Sequence, residues 1–133
     1  MKKLKLITLA VSLLSISAFA QDYLCIPTAA SGFTYNSASK KWERAFFKLG
    51  DEKNILKKVP NGYQWRDFGR STGPVCSEGF NEYGYLHCNV YFGNLVINKK
   101  TLRYVETYMS GYTDGIDNNE NTPSMKIGTC SPL

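Results

Sequence analysis

The stretch VYFGNLVINKKTLRYVETYMSGY, residues 90–112, decides the fold. Two runs rich in β-branched and aromatic residues flank the polar tetrapeptide NKKT at 98–101. Such runs favour β-strands, and a polar segment that begins with Asn favours a tight turn between them. The stretch therefore predicts an antiparallel hairpin to which the rest of the chain adds further strands.

Similar segments recur at close spacing before and after this hairpin, and the first two are short runs predicted as separate strands at 23–27 and 33–35. The residues PNG at 60–62 separate runs at 55–59 and 63–68, and Asn-Gly readily takes the positive φ of a hairpin turn. No segment of ten or more residues shows helical periodicity. We expect one all-β domain, residues 21–133, of about eight antiparallel strands, closed as a small barrel or packed as a two-layer sandwich.

One internal echo supports the hairpin interpretation. In residues 32–44 and again in 96–104, a β-rich run ends at an Asn, a short polar segment follows, and a second run begins. One echo is too little for a repeat protein, which needs several units. We interpret the two segments, whose turns begin at Asn36 and Asn98, as two separate hairpins that use the same kind of turn.

The first twenty residues have the composition of a secretory signal peptide. Three lysines within the first five residues precede an apolar run at 6–16, and AFA at 18–20 forms a small-x-small cleavage site before Gln21. The apolar run is shorter than the ~20 residues that a membrane span needs. We therefore expect cleavage after residue 20, a periplasmic or secreted product, and no membrane span afterwards.

The net charge gives little support to nucleic-acid binding. The formal charge of the whole chain is +5, and loss of the three leader lysines leaves +2 on residues 21–133. The remaining lysine pairs lie apart, beside segments that favour turns, and form no continuous basic stripe. We expect no nucleic-acid partner and no cofactor, and the sequence leaves the oligomeric state open.

The four cysteines all follow the leader, and an even number in a short exported chain indicates two disulfides. Three pairings are possible. We favour Cys76–Cys88, which closes a local loop, and Cys25–Cys130, which joins the first and last strands. Zinc is the competing interpretation, but CxxC spacing is absent and His87 is the only histidine. A Cys88 in a disulfide would also leave His87 without a thiol to activate.

Two groups of acids offer a different function. Paired carboxylates can act as acid and base in glycoside hydrolysis. A cell-wall glycan hydrolase that uses loop carboxylates is therefore the alternative to the binding function described below. The later group also offers oxygen ligands to calcium, although it lacks the EF-hand spacing. Solvated loop positions account for either group without a function. The acids are Glu78 and Glu82 in the cysteine loop, and Asp114, Asp117 and Glu120 in the polar segment at 113–123.

Aromatic residues are numerous, with nine Tyr, seven Phe and two Trp. A small barrel fills its interior with most of them, whereas exposed Tyr provides rigid contact area for a partner. We therefore expect a non-catalytic binding module that recognises a protein or glycan partner. A small barrel that holds an apolar ligand is a third possibility. The tyrosines near loops, which we take as partner-binding candidates, are Tyr83, Tyr85, Tyr108 and Tyr112.

Several segments resemble small exported proteins of Gram-negative bacteria with no assigned activity. These segments lie at 33–42, 98–104, 111–112, 121–123 and 127–132, so the resemblance extends over most of the chain after the leader. The resemblance implies export and disulfides. The stretch ASGFTY at 30–35, followed by Trp42, also resembles the Ser-Gly-x-x-Tyr segment of periplasmic C-type lysozyme inhibitors, which are disulfide-linked β-barrels. That resemblance adds Ser31 to the candidate binding residues.

Overall fold

The computed structural model describes residues 21–76 and 78–133, and the predicted signal peptide lies outside that range. Within these residues no helix is both long enough and apolar enough to cross a membrane. The secondary structure is almost entirely β, with one short 3-10 helix at Tyr112–Asp114. The described strands are β1 Tyr23–Asn36, β2 Lys41–Phe46, β3 Asn54–Val59, β4 Gly62–Asp67, β5 Val75–Cys76, β6 Tyr85–Val90, β7 Gly93–Asn98, β8 Arg103–Tyr108 and β9 Ser124–Pro132.

The strands form one antiparallel sheet that curls into a nearly closed barrel. Its order is β5-β4-β3-β1-β9-β8-β7-β6, and β2 pairs with β1 outside this path. The two end strands, β5 and β6, contact each other and are joined by the Cys76–Cys88 disulfide, whose Cα atoms lie 4.9 Å apart. The all-β prediction is confirmed, and the barrel replaces the sandwich as the description of the fold.

The second disulfide, Cys25–Cys130, links residues that lie directly opposite each other on β1 and β9. Both predicted pairings are therefore confirmed. Cys25 is fully buried, so this bond lies within the core rather than on the surface. Because β1 comes first along the chain and β9 last, the bond restricts the unfolded chain across almost the whole domain.

The inward side chains of neighbouring strands line up in rows. One row crosses four strands through Leu86, Ile97, Tyr104 and Gly128. The Tyr104 ring lies over Gly128, where a Cβ would come within 2.5 Å of the ring. This close approach explains why a residue without a side chain stands opposite the tyrosine. The largest fully buried side chains are Tyr104, Leu56, Leu86, Leu95, Ile97 and Cys25.

The structure corrects two element boundaries. The runs predicted at 23–27 and 33–35 belong to one 14-residue strand, β1, which bends at a register shift between Pro27 and Ala29. The first run of the 90–112 hairpin is broken, because β6 ends at Val90 and β7 begins at Gly93. Phe92 takes a φ of 52° there, and a Cβ at Gly93 would overlap the Thr107 carbonyl. The turn was missed because Tyr91-Phe92 contains none of the usual turn residues.

The predicted similarity between the segments at Asn36 and Asn98 is confirmed, because both form the same type of turn. In each turn the Asn Oδ1 accepts hydrogen bonds from the backbone N–H groups two and three residues later. The fourth loop residue then takes a left-handed conformation, with φ of 53° at Lys40 and 56° at Leu102. Four-residue hairpin loops of this kind bring the chain back into register.

The left-handed φ of Lys40 provides a test of this turn. A non-glycine residue there loses about 1 kcal/mol or more relative to glycine, so Lys40→Gly should raise the free energy of unfolding by about 0.5–1 kcal/mol. Lys41→Gly is the matched control, because Lys41 lies in β2 and glycine should lower the same quantity by a similar amount. Urea denaturation of both variants would measure this. Equal effects of the two substitutions would contradict the assigned turn.

The disulfide between the end strands makes a second prediction. Replacing Cys76 and Cys88 together by Ala should lower the free energy of unfolding by about 2–4 kcal/mol. The loss should be local, because β5 and β6 then keep only their pairing with β4 and β7. Amide hydrogen exchange should accelerate most in β5 and β6 and least in β1 and β9. Uniform acceleration across the sheet would show that this disulfide is not the closure of the barrel.

Candidate functional site

The second half of β1 leaves the barrel and carries the candidate site with it. On one side β1 pairs with β3 only as far as Cys25, and β2 takes over that side from Ser31 to Asn36. On the other side β9 ends its pairing with β1 at Gly32. Residues 31–46 therefore form a two-stranded hairpin, called the ribbon below, that extends past the end of the barrel.

One edge of the ribbon is covered by the polar loop that precedes β9. The Tyr35 N–H donates to Asn119 Oδ1 at 2.6 Å, and Asn119 Nδ2 donates to the Tyr35 carbonyl at 2.7 Å. The Asn119 amide thus replaces a neighbouring strand. Beside it, Trp42 Nε1 donates to Asp117 Oδ1 at 2.9 Å, and the Trp42 ring packs against Tyr112 with centroids 5.7 Å apart. These contacts give the loop a structural role.

The opposite edge of the ribbon is open in the described part of the chain. There β2 pairs with β1 alone. The Phe47 N–H donates to the Ala30 carbonyl at 3.0 Å, which fixes the residues of β2 whose backbone groups point at β1. Because these groups alternate along an antiparallel strand, Trp42, Arg44 and Phe46 direct their N–H and C=O groups away from β1.

A groove of about 1100 Å³ runs along this region and is mainly apolar. Its most unusual feature is Phe46, whose side chain is 95% exposed. Phe33, Met109 and Met125 also line the groove, and each is about half exposed. Successive side chains of a strand point to opposite faces of the sheet. Because every residue of the segment 42–46 lines the groove, the groove must border the backbone of β2 as well as one of its faces.

The predicted binding residues divide between two places. Ser31 and Tyr108 both line the groove, and Tyr112 packs on its neighbour Trp42. Tyr83 and Tyr85 are exposed but lie far from the groove. Tyr85 pairs with Asn98, where β7 ends and the turn to β8 begins, whereas the groove lies at the opposite end of β8.

Sequence reasoning missed the two exposed phenylalanines of the groove, Phe33 and Phe46. One signal for Phe46 was present in the sequence. Phe46 and Phe47 are adjacent, and neighbouring side chains of an extended chain cannot both face the same side. Phe47 lies over Gly32, with a ring atom 3.0 Å from where a Cβ would stand, so Phe46 is left to solvent.

A second, polar cleft of about 470 Å³ lies at the barrel wall around Glu106 and Lys126. Trp65 Nε1 donates to Glu106 Oε1 at 3.1 Å. The Lys126 Nζ lies 2.5 Å from Glu52 Oε2 and 3.9 Å from Glu106 Oε2. Burial raises the pKa of Glu106 above its ordinary value, while the Lys126 charge and the Trp65 hydrogen bond act in the opposite direction. Two carboxylates thus converge on a single ammonium group, which lies much closer to Glu52 than to Glu106.

The acids named from the sequence do not converge in this way. Among the described residues, no three His, Cys, Asp or Glu side chains are placed together to hold a metal ion. Asp114 Oδ1 accepts the Ile116 N–H at 2.7 Å, which is loop chemistry. Glu78, Glu82 and Glu120 are exposed. The calcium interpretation therefore gains no geometric support.

A cysteine nucleophile and an apolar ligand inside the barrel both lose their structural basis. Cys88 is in a disulfide, so His87 has no neighbouring thiol to activate. The barrel interior is filled by large side chains, including those of Leu56, Trp65 and Tyr104, where an apolar ligand would have to lie. No known family model, curated protein or solved structure matches this chain.

The pKa of Glu106 predicts how stability depends on pH. Because the pKa of Glu106 is raised in the folded state, folding favours the protonated carboxyl. The protonated form therefore contributes to the stability of the folded protein below the ordinary pKa of 4.5, and this contribution is lost as the pH rises through the pKa of the folded state. Glu106→Gln should remove this loss, so the variant should gain stability relative to the parent as the pH rises. Thermal unfolding between acid and neutral pH would measure it.

Glu43 is the control for this experiment, because its pKa is lowered, chiefly by hydrogen bonds from Asn36 and Ser39. A lowered pKa contributes stability above the ordinary value and loses it as the pH falls. Glu43→Gln should therefore lose stability relative to the parent at neutral pH. If both variants shifted in the same direction, the assignment for Glu106 would be wrong.

Proposed function

We propose that this chain is an exported, non-catalytic binding protein that recognises a partner protein through the groove beside β2. The observation that supports this most directly is the near-complete exposure of Phe46 next to the open edge of a strand. Apolar surface collected in a groove is typical of interaction sites, whereas single exposed apolar residues are common anywhere on a protein. Here Phe33, Met109 and Met125 line the same groove.

The chemistry of the groove favours a protein over a glycan. Sugars stack on the faces of aromatic rings and need many polar groups to bind their hydroxyls. Trp42 is the large ring of the ribbon, but it packs against Tyr35 and Tyr112 and its N–H is engaged with Asp117. What the groove offers instead is Phe and Met surface, together with unpaired backbone groups, which suits a polypeptide.

The polar cleft gives the hydrolase hypothesis its only geometric support among the described residues. A glycosidase needs one free carboxylate and one protonated carboxylic acid around the scissile bond. Glu52 and Glu106 instead share the Lys126 ammonium, and Glu106 also accepts a hydrogen bond from Trp65. The ion pairs tie β9 to β8 and to the segment before β3, and the Trp65 hydrogen bond ties β4 to β8, which accounts for the cleft without catalysis.

Export is supported by cysteine chemistry and by the composition of the leader. The four cysteines form two disulfides, and such bonds persist in oxidising compartments outside the cytoplasm. The segment at 1–20 adds a charged start, an apolar run and a small-x-small exit. Both features support a periplasmic or secreted location.

Phe46→Ser is the test of the binding site. Loss of one central aromatic anchor should weaken binding by about tenfold or more. Immobilised parent protein should retain a partner from the periplasmic fraction of the producing cells, and the Phe46→Ser variant should retain little of it. Phe68→Ser is the matched control, since Phe68 is also exposed but lies outside the groove, and it should bind like the parent.

Two results would overturn the proposal. One is retention of the same proteins by the parent and the Phe46→Ser variant, which would show that the groove is not involved. The other is binding to isolated cell-wall glycan that survives Phe46→Ser while no protein is retained, which would favour a glycan as the partner.

A further inference from the structure

We infer that the occupant of the groove is an extended polypeptide segment that adds to β2 as an antiparallel strand, with an apolar residue opposite Phe46 and an acidic residue opposite Arg44. The inference rests on the proposed function and specifies the partner of the same site. It depends on three features of β2: its unpaired backbone, the face that carries its exposed side chains, and its charge.

The backbone of β2 provides the binding edge. Trp42, Arg44 and Phe46 direct three N–H and three C=O groups away from β1, as the Phe47 to Ala30 hydrogen bond requires. On the other edge of the ribbon, the backbone N–H and C=O of Tyr35 also lack a neighbouring strand, and there the Asn119 side chain provides both hydrogen bonds. The described chain supplies no such group to β2. Addition of a strand from a partner would pair these groups in the same way.

The side chains next to this edge define what the partner strand must carry. Trp42, Arg44 and Phe46 are two residues apart, so their side chains share one face of β2. An antiparallel partner passes Phe46 first and reaches Arg44 two residues later. Its side chains on that face should therefore read apolar-x-acidic along its own direction, with the apolar residue reaching Phe33 and Met125 in the groove.

Charge determines the acidic position and argues against a second copy of this chain. Glu43, on the other face of β2, is held by Asn36 and Ser39 at 3.1 and 2.8 Å. Arg44 has no such partner among the described residues and makes no ion pair there. If two copies paired through β2 with full overlap of 42–46, Arg44 would face Arg44. Like charges directly opposite each other are destabilising, which favours a different and acidic strand.

Synthetic peptides test the inference directly. A soluble peptide with the core Leu-Thr-Asp-Thr-Phe should bind the parent protein about tenfold more tightly than the same peptide with Lys in place of Asp, because that change replaces attraction to Arg44 by repulsion. Arg44→Glu should reverse that preference. Arg103→Glu is the matched control, because Arg103 is also exposed but begins β8 at the end away from the groove, and it should leave the preference unchanged. Isothermal titration calorimetry would give the affinities.

Backbone pairing has its own readout. On addition of the Asp peptide, the amide protons of Arg44 and Phe46 should become protected from exchange, while those of Glu43 and Ala45 should change little because they already bond to β1. Protection of neither set, or the absence of binding by the Asp peptide, would overturn strand addition. An unchanged preference in Arg44→Glu would overturn the acidic position.

These failures differ from failure of the proposed function. If Phe46→Ser still abolishes retention of the cellular partner while the Asp peptide does not bind, the groove is a binding site but its occupant is not the strand inferred here. If Phe46→Ser changes neither partner retention nor peptide binding, both the proposed function and the inference are wrong.

Discussion

The pairing of β1 with β9 is the interaction on which the rest of the structure depends. These two strands lie side by side from Tyr23–Pro132 to Gly32–Ser124, and the Cys25–Cys130 disulfide fixes their register inside the core. β8 flanks β9 along Ser124–Thr129, and β3 flanks β1 along Tyr23–Cys25. From Ser31 onward β2 takes the place of β3 beside β1, so the same ladder passes from a buried core to an exposed groove. A shift of this register would move both at once.

The register shift between Pro27 and Ala29 separates these two environments. Before it, Cys25 and Pro27 point into the barrel; after it, the same strand carries Ser31 and Phe33, which are exposed. Bulges bend a strand and redirect its side chains, often beside functional sites. The sequence signals the change only indirectly, through a proline followed by small residues, and for that reason two short strands were predicted where one long strand occurs.

Most of the fold could be read from the sequence, because the features that specify it are local. Asn36 and Asn98 define their turns through hydrogen bonds to the next few residues, and cysteine spacing allowed a correct choice among three pairings. The groove could not be read in this way. It brings β2, β8 and β9 together across the sheet, and whether Phe46 or Phe47 faces solvent depends on a glycine in the neighbouring strand.

The contrast between the two edges of the ribbon remains the strongest argument that the groove is used. An unpaired strand edge beside exposed aromatic surface invites non-specific association, and proteins usually cover such edges or charge them. This chain does both: Asn119 covers one edge, while Lys41 and Arg44 charge the other. Charge prevents pairing with a like strand but leaves the backbone accessible. An edge that needed only protection from non-specific association could have been covered by a side chain, as Asn119 covers Tyr35. Phe46 instead stays exposed beside an open, charged edge. Selective binding explains this arrangement better than protection alone.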